Sequence, residues 1–179
     1  MGSEMCIRDR DDRARLRPLH FLLGSSCAQA MKPLLVIGLG NPLMRDDGIG
    51  PRIAEELRGN PRLPEFAEVI DGGTDLLQCA SQIEGRSRVV LIDAIQDGSE
   101  PGTVSVFDES FAGLDESQHH AHGLSAVEAV GLLKLIAPVP FRLLGISIAS
   151  AGVDRELSPT LRAEMPAILE RVLRELAVE

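Results

Sequence analysis

From Met31 onward, short apolar runs alternate with stretches in which apolar residues recur every three or four positions. That alternation predicts βα units and a largely parallel sheet. Pro33 to Leu39 is a continuous apolar run, suited to a strand buried on both faces. Over Gly48 to Leu57, Ile49, Ile53, Ala54 and Leu57 fall at helical spacing, and Gly59-Asn60-Pro61 ends that helix. Ala67 to Ile70 predicts a second strand closing at Asp71-Gly72-Gly73-Thr74, followed by a helix through Leu76, Leu77, Ala80 and Ile83. Val89 to Ile92 predicts a third strand that ends at Asp93, and Thr103 to Phe107 a shorter one of alternating character. Asp108 to Gln118 is polar and predicts irregular chain. Gly123 to Ile136 predicts a helix offering Leu124, Val127, Val130, Leu133 and Leu135 for packing, and Phe141 to Ala149 is the last strong strand. Ser158-Pro159 supplies an N-cap with proline at the first helical position. Leu161, Met165, Ile168, Leu169, Val172, Leu173 and Leu176 then line one face of a final helix, with mostly charges opposite. No repeat and no linker divides this stretch, so 31–179 is expected to form one α/β domain.

The first thirty residues break the pattern. Met1 to Arg17 is crowded with charge and has no usable periodicity, and Met5-Cys6-Ile7-Arg8-Asp9-Arg10 looks like translated adapter sequence. The apolar core within Leu19 to Ala30 is about four residues, short of the roughly 7–15 of a secretory signal. Residues 1–30 are therefore expected to be a non-native or disordered extension, with Met31 as the start of the domain.

Composition narrows the partners. A net charge of −9 opposes binding to a nucleic-acid backbone. With no Trp or Tyr and five Phe, the chain has few stacking platforms for bases. No apolar run approaches the roughly 18 residues of a membrane span. Cys6, Cys27 and Cys79 show neither paired nor metal-ribbon spacing, which points to a reducing compartment, the cytoplasm. Cys79 falls on an apolar helical face and is expected to be buried rather than reactive.

The chemistry concentrates where strands end. The first strand runs into Gly38-Leu39-Gly40-Asn41, and Asp46-Asp47 opens the next helix. Glycines at such a turn let backbone approach a bound group closely. A nucleotide-binding module would keep the following helix N-terminus free for phosphate. Here two acids stand there, and Leu43 occupies the position of a third fingerprint glycine. The place suits a cation or a working carboxylate better than a nucleotide. One of the two acids is expected to serve only as a helix cap, and Asp71 can equally be a turn acid.

Asp93 follows the third apolar run directly. If the first and third strands flank a topological switch, Asp47 and Asp93 face one crevice. Three of the four histidines in the chain lie together as His119, His120 and His122. Two carboxylates and one imidazole make a ligand set for a borderline divalent metal and leave a coordination position open.

The segments Ile37-Gly38-Leu39-Gly40-Asn41, Asp46-Asp47-Gly48-Ile49-Gly50, Asp71-Gly72-Gly73-Thr74, Leu91-Ile92-Asp93-Ala94 and Ala121-His122-Gly123-Leu124 together resemble the hydrogenase maturation endopeptidases. The resemblance spans Met31 to Glu179 in order and spacing. It implies a single-domain three-layer sandwich, with a mostly parallel five-stranded sheet and helices on both faces. It implies an aspartic-type endopeptidase that removes a C-terminal peptide from the nickel-loaded precursor of a [NiFe]-hydrogenase large subunit. The implied catalytic and metal-contacting residues are Asp47, Asp93 and His122, with His119 and His120 as alternative registers. The nickel belongs to the substrate, no organic cofactor is implied, and a monomer is the default.

No Gly-x-Ser-x-Gly elbow and no His-Glu-x-x-His motif is present, so neither a serine acyl mechanism nor a self-contained zinc protease is indicated. A non-catalytic metal-binding maturation chaperone would share every candidate ligand. Only detection of peptide cleavage separates the two.

Overall fold

The computed structural model describes residues 31–111 and 126–177. The expected extension 1–30 and the histidines His119, His120 and His122 lie outside the described residues. Five strands form one sheet: β1 (Leu34–Leu39), β2 (Ala67–Gly73), β3 (Arg88–Ile95), β4 (Val104–Phe107) and β5 (Phe141–Ser147). Their spatial order is β2-β1-β3-β5-β4, with β4 antiparallel to β5 and every other pair parallel. Among the described residues four α-helices accompany them: α1 (Ile49–Leu57), α2 (Ala80–Ile83), α3 (Ala126–Ile136) and α4 (Pro159–Leu176).

The apolar pattern explains the layers. Every residue of β1 is buried, as a continuous apolar run at the centre of a doubly covered sheet should be. On one face, Ile49, Ile53 and Leu57 of α1 and Leu161, Ile168, Val172 and Leu176 of α4 pack with Val36, Val90 and Leu144. On the other, Ile83 of α2 and Val130 and Leu133 of α3 pack with Leu35, Ile37, Leu91 and Leu143. The three-layer α/β expectation holds, and so do the packing faces of α1 and α4.

Several local expectations fail for identifiable reasons. The predicted second helix is a 3-10 turn, Leu76–Cys79, leading into only four α-helical residues. Asp75 caps it by accepting the Leu77 N–H, and Gly85, at φ +79, ends the segment soon after. The third strand runs on past Asp93 to Ile95, because β5 continues to pair with it at Gly145, Ile146 and Ser147. The last strand stops at Ser147 instead of Ala149. Leu135 does not pack: it is 81% exposed. It lies two residues beyond buried Leu133, about 200° further round a helix that is apolar on nearly every side.

Gly38 and Gly50 serve close packing of the chain on itself. A Cβ on Gly50 would stand 2.1 Å from the Leu39 carbonyl oxygen and 2.5 Å from that of Ile92. A Cβ on Gly38 would stand 2.3 Å from the Gly50 oxygen. The first turn of α1 thus rests directly on the backbones of β1 and β3. Where a phosphate cradle would present N–H groups, this contact is rich in carbonyl oxygens.

Gly50→Ala is therefore expected to destabilise the fold by about 1–3 kcal/mol or more. Gly131→Ala on α3, where an added methyl meets nothing within 4 Å, should be neutral or stabilising by up to about 1 kcal/mol. Thermal denaturation of the two variants checks the contrast.

Candidate active site

The sheet order places a topological switch between β1 and β3: the chain leaves β1 for β2 on one side and returns to β3 on the other. Crevices at the carboxyl ends of such strands are where open α/β sheets bind ligands. Residues Asp46–Gly48 form a 3-10 turn between the end of β1 and α1, and this turn packs against β3. Asp47 stands on that turn and Asp93 near the carboxyl end of β3, so the fold brings both acids to the switch point.

The two adjacent acids divide their tasks, and neither caps a helix: no side-chain cap bond is made at the start of the turn or of α1. Asp46, 2% exposed, accepts the backbone N–H of Ser158 at 2.6 Å. Ser158 is itself the N-cap of α4, so this buried carboxylate ties the turn to the last helix. Asp47 is half-buried and accepts the Asn41 N–H at 2.8 Å through one oxygen. That bond folds the 41–47 loop back over the end of β1. Asp93, 8% exposed, accepts the N–H of Ala94 at 2.8 Å.

The other candidates separate as follows. Asp71 is exposed and accepts the Gly73 N–H at 2.9 Å, which is a turn role. Cys79 is buried, and burial, with Asp75 and Asp71 nearby, pushes its thiol above the ordinary range, so it is no thiolate nucleophile. Among the described residues no group of three His, Cys, Asp or Glu side chains is placed to hold a metal ion. The carboxylates of the expected set are described; its imidazole, His122, is not.

Sequence reasoning missed two features of this edge. One is the pairing of the 41–47 loop with the loop after β5: Arg45 N–H donates to the Asp154 carbonyl at 2.7 Å, and Asp154 N–H donates to Leu43 at 3.2 Å. The other is Arg45 itself, a non-glycine residue at φ 55, ψ −113. No local pattern signals either, since one is a long-range contact and the other places arginine where a turn ordinarily calls for glycine.

Comparison with known proteins decides which α/β family carries this edge. A family model described as HycI, hydrogenase maturation protease, matches residues 51–175. The chain belongs to the hydrogenase maturation protease family. Among relatives of the maturation protease, the hydrogenase 2 maturation protease of Escherichia coli is 31% identical over 153 residues, covering 82% of this chain and 93% of that protein. Among solved structures, the [NiFe] hydrogenase maturation protease HybD from Thermococcus kodakarensis is 30% identical with a TM-score of 0.66, covering 81% of this chain and 99% of that one. The hydrogenase maturating endopeptidase HybD from E. coli is 27% identical with a TM-score of 0.62, covering 82% of this chain and 94% of that one.

The division of labour in the maturation protease has a direct test. Asp46→Asn weakens a buried, charge-assisted bond and should lower stability by about 1.5–3 kcal/mol. Asp47→Asn, at a half-buried position that accepts a neighbouring loop N–H, should cost less. Urea denaturation of both variants separates them.

Proposed function

We propose that this maturation protease removes a C-terminal peptide from the nickel-loaded precursor of a [NiFe]-hydrogenase large subunit, and that it reads the substrate's nickel through Asp47, Asp93 and His122. The observation that carries the reading is the convergence of Asp47, on the turn after β1, and Asp93, within β3, at the β1/β3 switch point. Two carboxylates on a rigid edge, joined by an imidazole from the segment preceding α3, form a ligand set for a borderline divalent cation with room left for the substrate's own ligands. An open groove of about 450 Å³, lined by Gln96, Ser99, Pro101 and Ile148 beyond the ends of β3 and β5, offers space for extended chain on the same edge.

In this mechanism the protease needs no resident metal. Contact between its three side chains and the substrate's nickel holds the scissile bond in register, and a water polarised at that centre attacks the carbonyl. Cleavage then depends on nickel loading, which makes the enzyme a checkpoint in hydrogenase assembly. The aspartic-type label fits an enzyme whose acids act on the substrate without forming an acyl intermediate. The sparse cysteines suit a reducing compartment, the cytoplasm. No helix among the described residues is long and apolar enough to cross a membrane. The chaperone reading keeps the same ligands and differs only in leaving the precursor uncut.

Mass spectrometry of a large-subunit precursor after incubation tests the reading. Loss of a C-terminal peptide is expected from the nickel-loaded form only, and Asp93→Asn should abolish it. Equal cleavage of nickel-free precursor overturns the nickel-reading mechanism; a competent, loaded precursor left intact favours the chaperone.

Nickel contact requires a neutral imidazole, so the cleavage rate should fall in acid. A pH–rate profile of the wild type beside His122→Ala measures this. A flat acid limb, or full activity in the variant, counts against the assignment of His122.

A further inference from the structure

The sheet has two edge strands, β2 and β4, and the chain treats them differently. Unpaired edge N–H and C=O groups invite another strand, so folded proteins usually cover them or set charge beside them. At β2 the Leu34 N–H donates to the Phe66 carbonyl at 3.2 Å, and alternation along the strand turns Ala67 and Val69 outward. Both outward carbonyls are covered: Ala67 accepts from Lys32 Nζ at 3.0 Å and Val69 from Arg58 Nε at 3.3 Å.

At β4 no such cover is built. The Ser147 N–H donates to the Thr103 carbonyl at 2.9 Å, and Ser105 and Phe107 stand opposite Gly145 and Leu143. The antiparallel alternation therefore aims the backbone of Ser105 and Phe107 at β5, and that of Val104 and Val106 at the open side. Among the described residues neither a strand nor a side chain bonds to these outward groups. Val104–Phe107 holds no charge and no proline to discourage pairing, and Val106 is 39% exposed.

The open edge is level with the candidate site. Register places Asp93 of β3 opposite Gly145 of β5, and Gly145 opposite Ser105 of β4. Two strand spacings, about 10 Å, separate β4 from β3, a span that about three extended residues cover. The groove lined by Gln96, Ser99, Pro101 and Ile148 lies at the end of β5 where β4 begins, and its wall continues through Gly102 and Thr103 into β4. A chain laid through that groove from the switch point arrives at the open side of β4.

We propose that β4 is a strand-addition site, where an extended segment of the precursor a few residues from the scissile bond pairs backbone to backbone. The inference rests on the endopeptidase reading above and gives it a binding surface outside the nickel-reading residues. Val104 and Val106 each present one N–H and one C=O, two residues apart, and the ligand matching that row is a peptide in β conformation. Such pairing selects conformation rather than sequence, with exposed Val106 favouring an apolar residue across from it. A second copy of this chain fits less well. Four edge residues supply little of the roughly 1,200–2,000 Å² of a stable interface, and two chains of net charge −9 repel.

Amide hydrogen exchange of the wild type, free and with nickel-loaded precursor, tests the pairing directly. The Val104 and Val106 amides should exchange fast in the free protein and slow by about 10-fold or more in the complex. Val106→Pro removes an outward N–H without breaking a bond to β5, so its thermal midpoint should stay near that of the wild type. Its Kd and KM for precursor should rise about 10-fold with kcat nearly unchanged. Val106→Thr keeps the N–H and the β-branch and should bind as the wild type does. Competitor peptides spanning the precursor's cleavage site, N-methylated one position at a time, should lose affinity at alternate residues, the period of a strand.

Unchanged exchange at Val104 and Val106 with precursor that is bound and cut overturns strand addition and leaves the endopeptidase reading standing. Protection by a loaded, competent precursor that stays uncut does the reverse. Full affinity in a folded Val106→Pro, or N-methyl losses without the two-residue period, also overturns the proposal. Protection in the absence of precursor that grows with protein concentration and disappears in Val106→Pro assigns β4 to a second copy instead. Absence of wild-type binding overturns both readings.

Discussion

The candidate site depends on one backbone contact: the first turn of α1 resting on the ends of β1 and β3. Gly38 and Gly50 leave no Cβ between helix and sheet, so carbonyls of Leu39, Gly50 and Ile92 approach to distances that any side chain would prevent. This fixes where α1 begins, and hence where the Asp46–Gly48 turn sits over β3. A displacement of the helix by the width of one methyl would carry Asp47 away from the strand that holds Asp93. Pre-organised ligands need this kind of support from rigid elements.

Around that contact the loops brace each other. Asn41 and Asp47 close the first loop on itself, Asp46 fastens it to α4, and the backbone of Arg45 fastens it to the loop after β5. The acids at this edge are therefore not equivalent. Asp46 and Asp71 satisfy backbone donors and stop there. Asp47 and Asp93 also accept backbone N–H groups, but Asp47 does so on the turn after β1 and Asp93 within β3, the two strands flanking the switch point.

Much of this was legible in the sequence because it follows from periodicity. Leu34 to Leu39 as a buried central strand needs only an unbroken apolar run, and the apolar faces of α1 and α4 only a period of 3.6 residues, with no knowledge of partners. The failures occur where partners decide. Asp93 is inside β3 because β5 pairs beyond it, and Leu135 is exposed because only one side of a uniformly apolar helix finds the sheet. The 76–83 segment carries helical spacing but is too short to hold more than one α-turn between its cap and Gly85. Pro166 stands inside α4 against local propensity, and burial of Ile168, Val172 and Leu176 outweighs it. The pair Asp47 and Asp93 could be singled out from strand ends, whereas Asp46 could not be told from Asp47. Its distinguishing partner lies far along the chain.

That partner sets an order of events. The Asp46–Ser158 bond joins positions 112 residues apart, and Ser158 opens α4. A ribosome-bound chain that has finished β1, α1 and β3 already carries two of the three candidate nickel readers, Asp47 and Asp93. It still lacks the residue that anchors the turn between them. The loop bearing Asp47 cannot reach its final fastening until α4 has emerged and docked. A chain lacking α4 would thus carry Asp47 on an untethered turn, and the docking of α4 is itself a step in assembling the site.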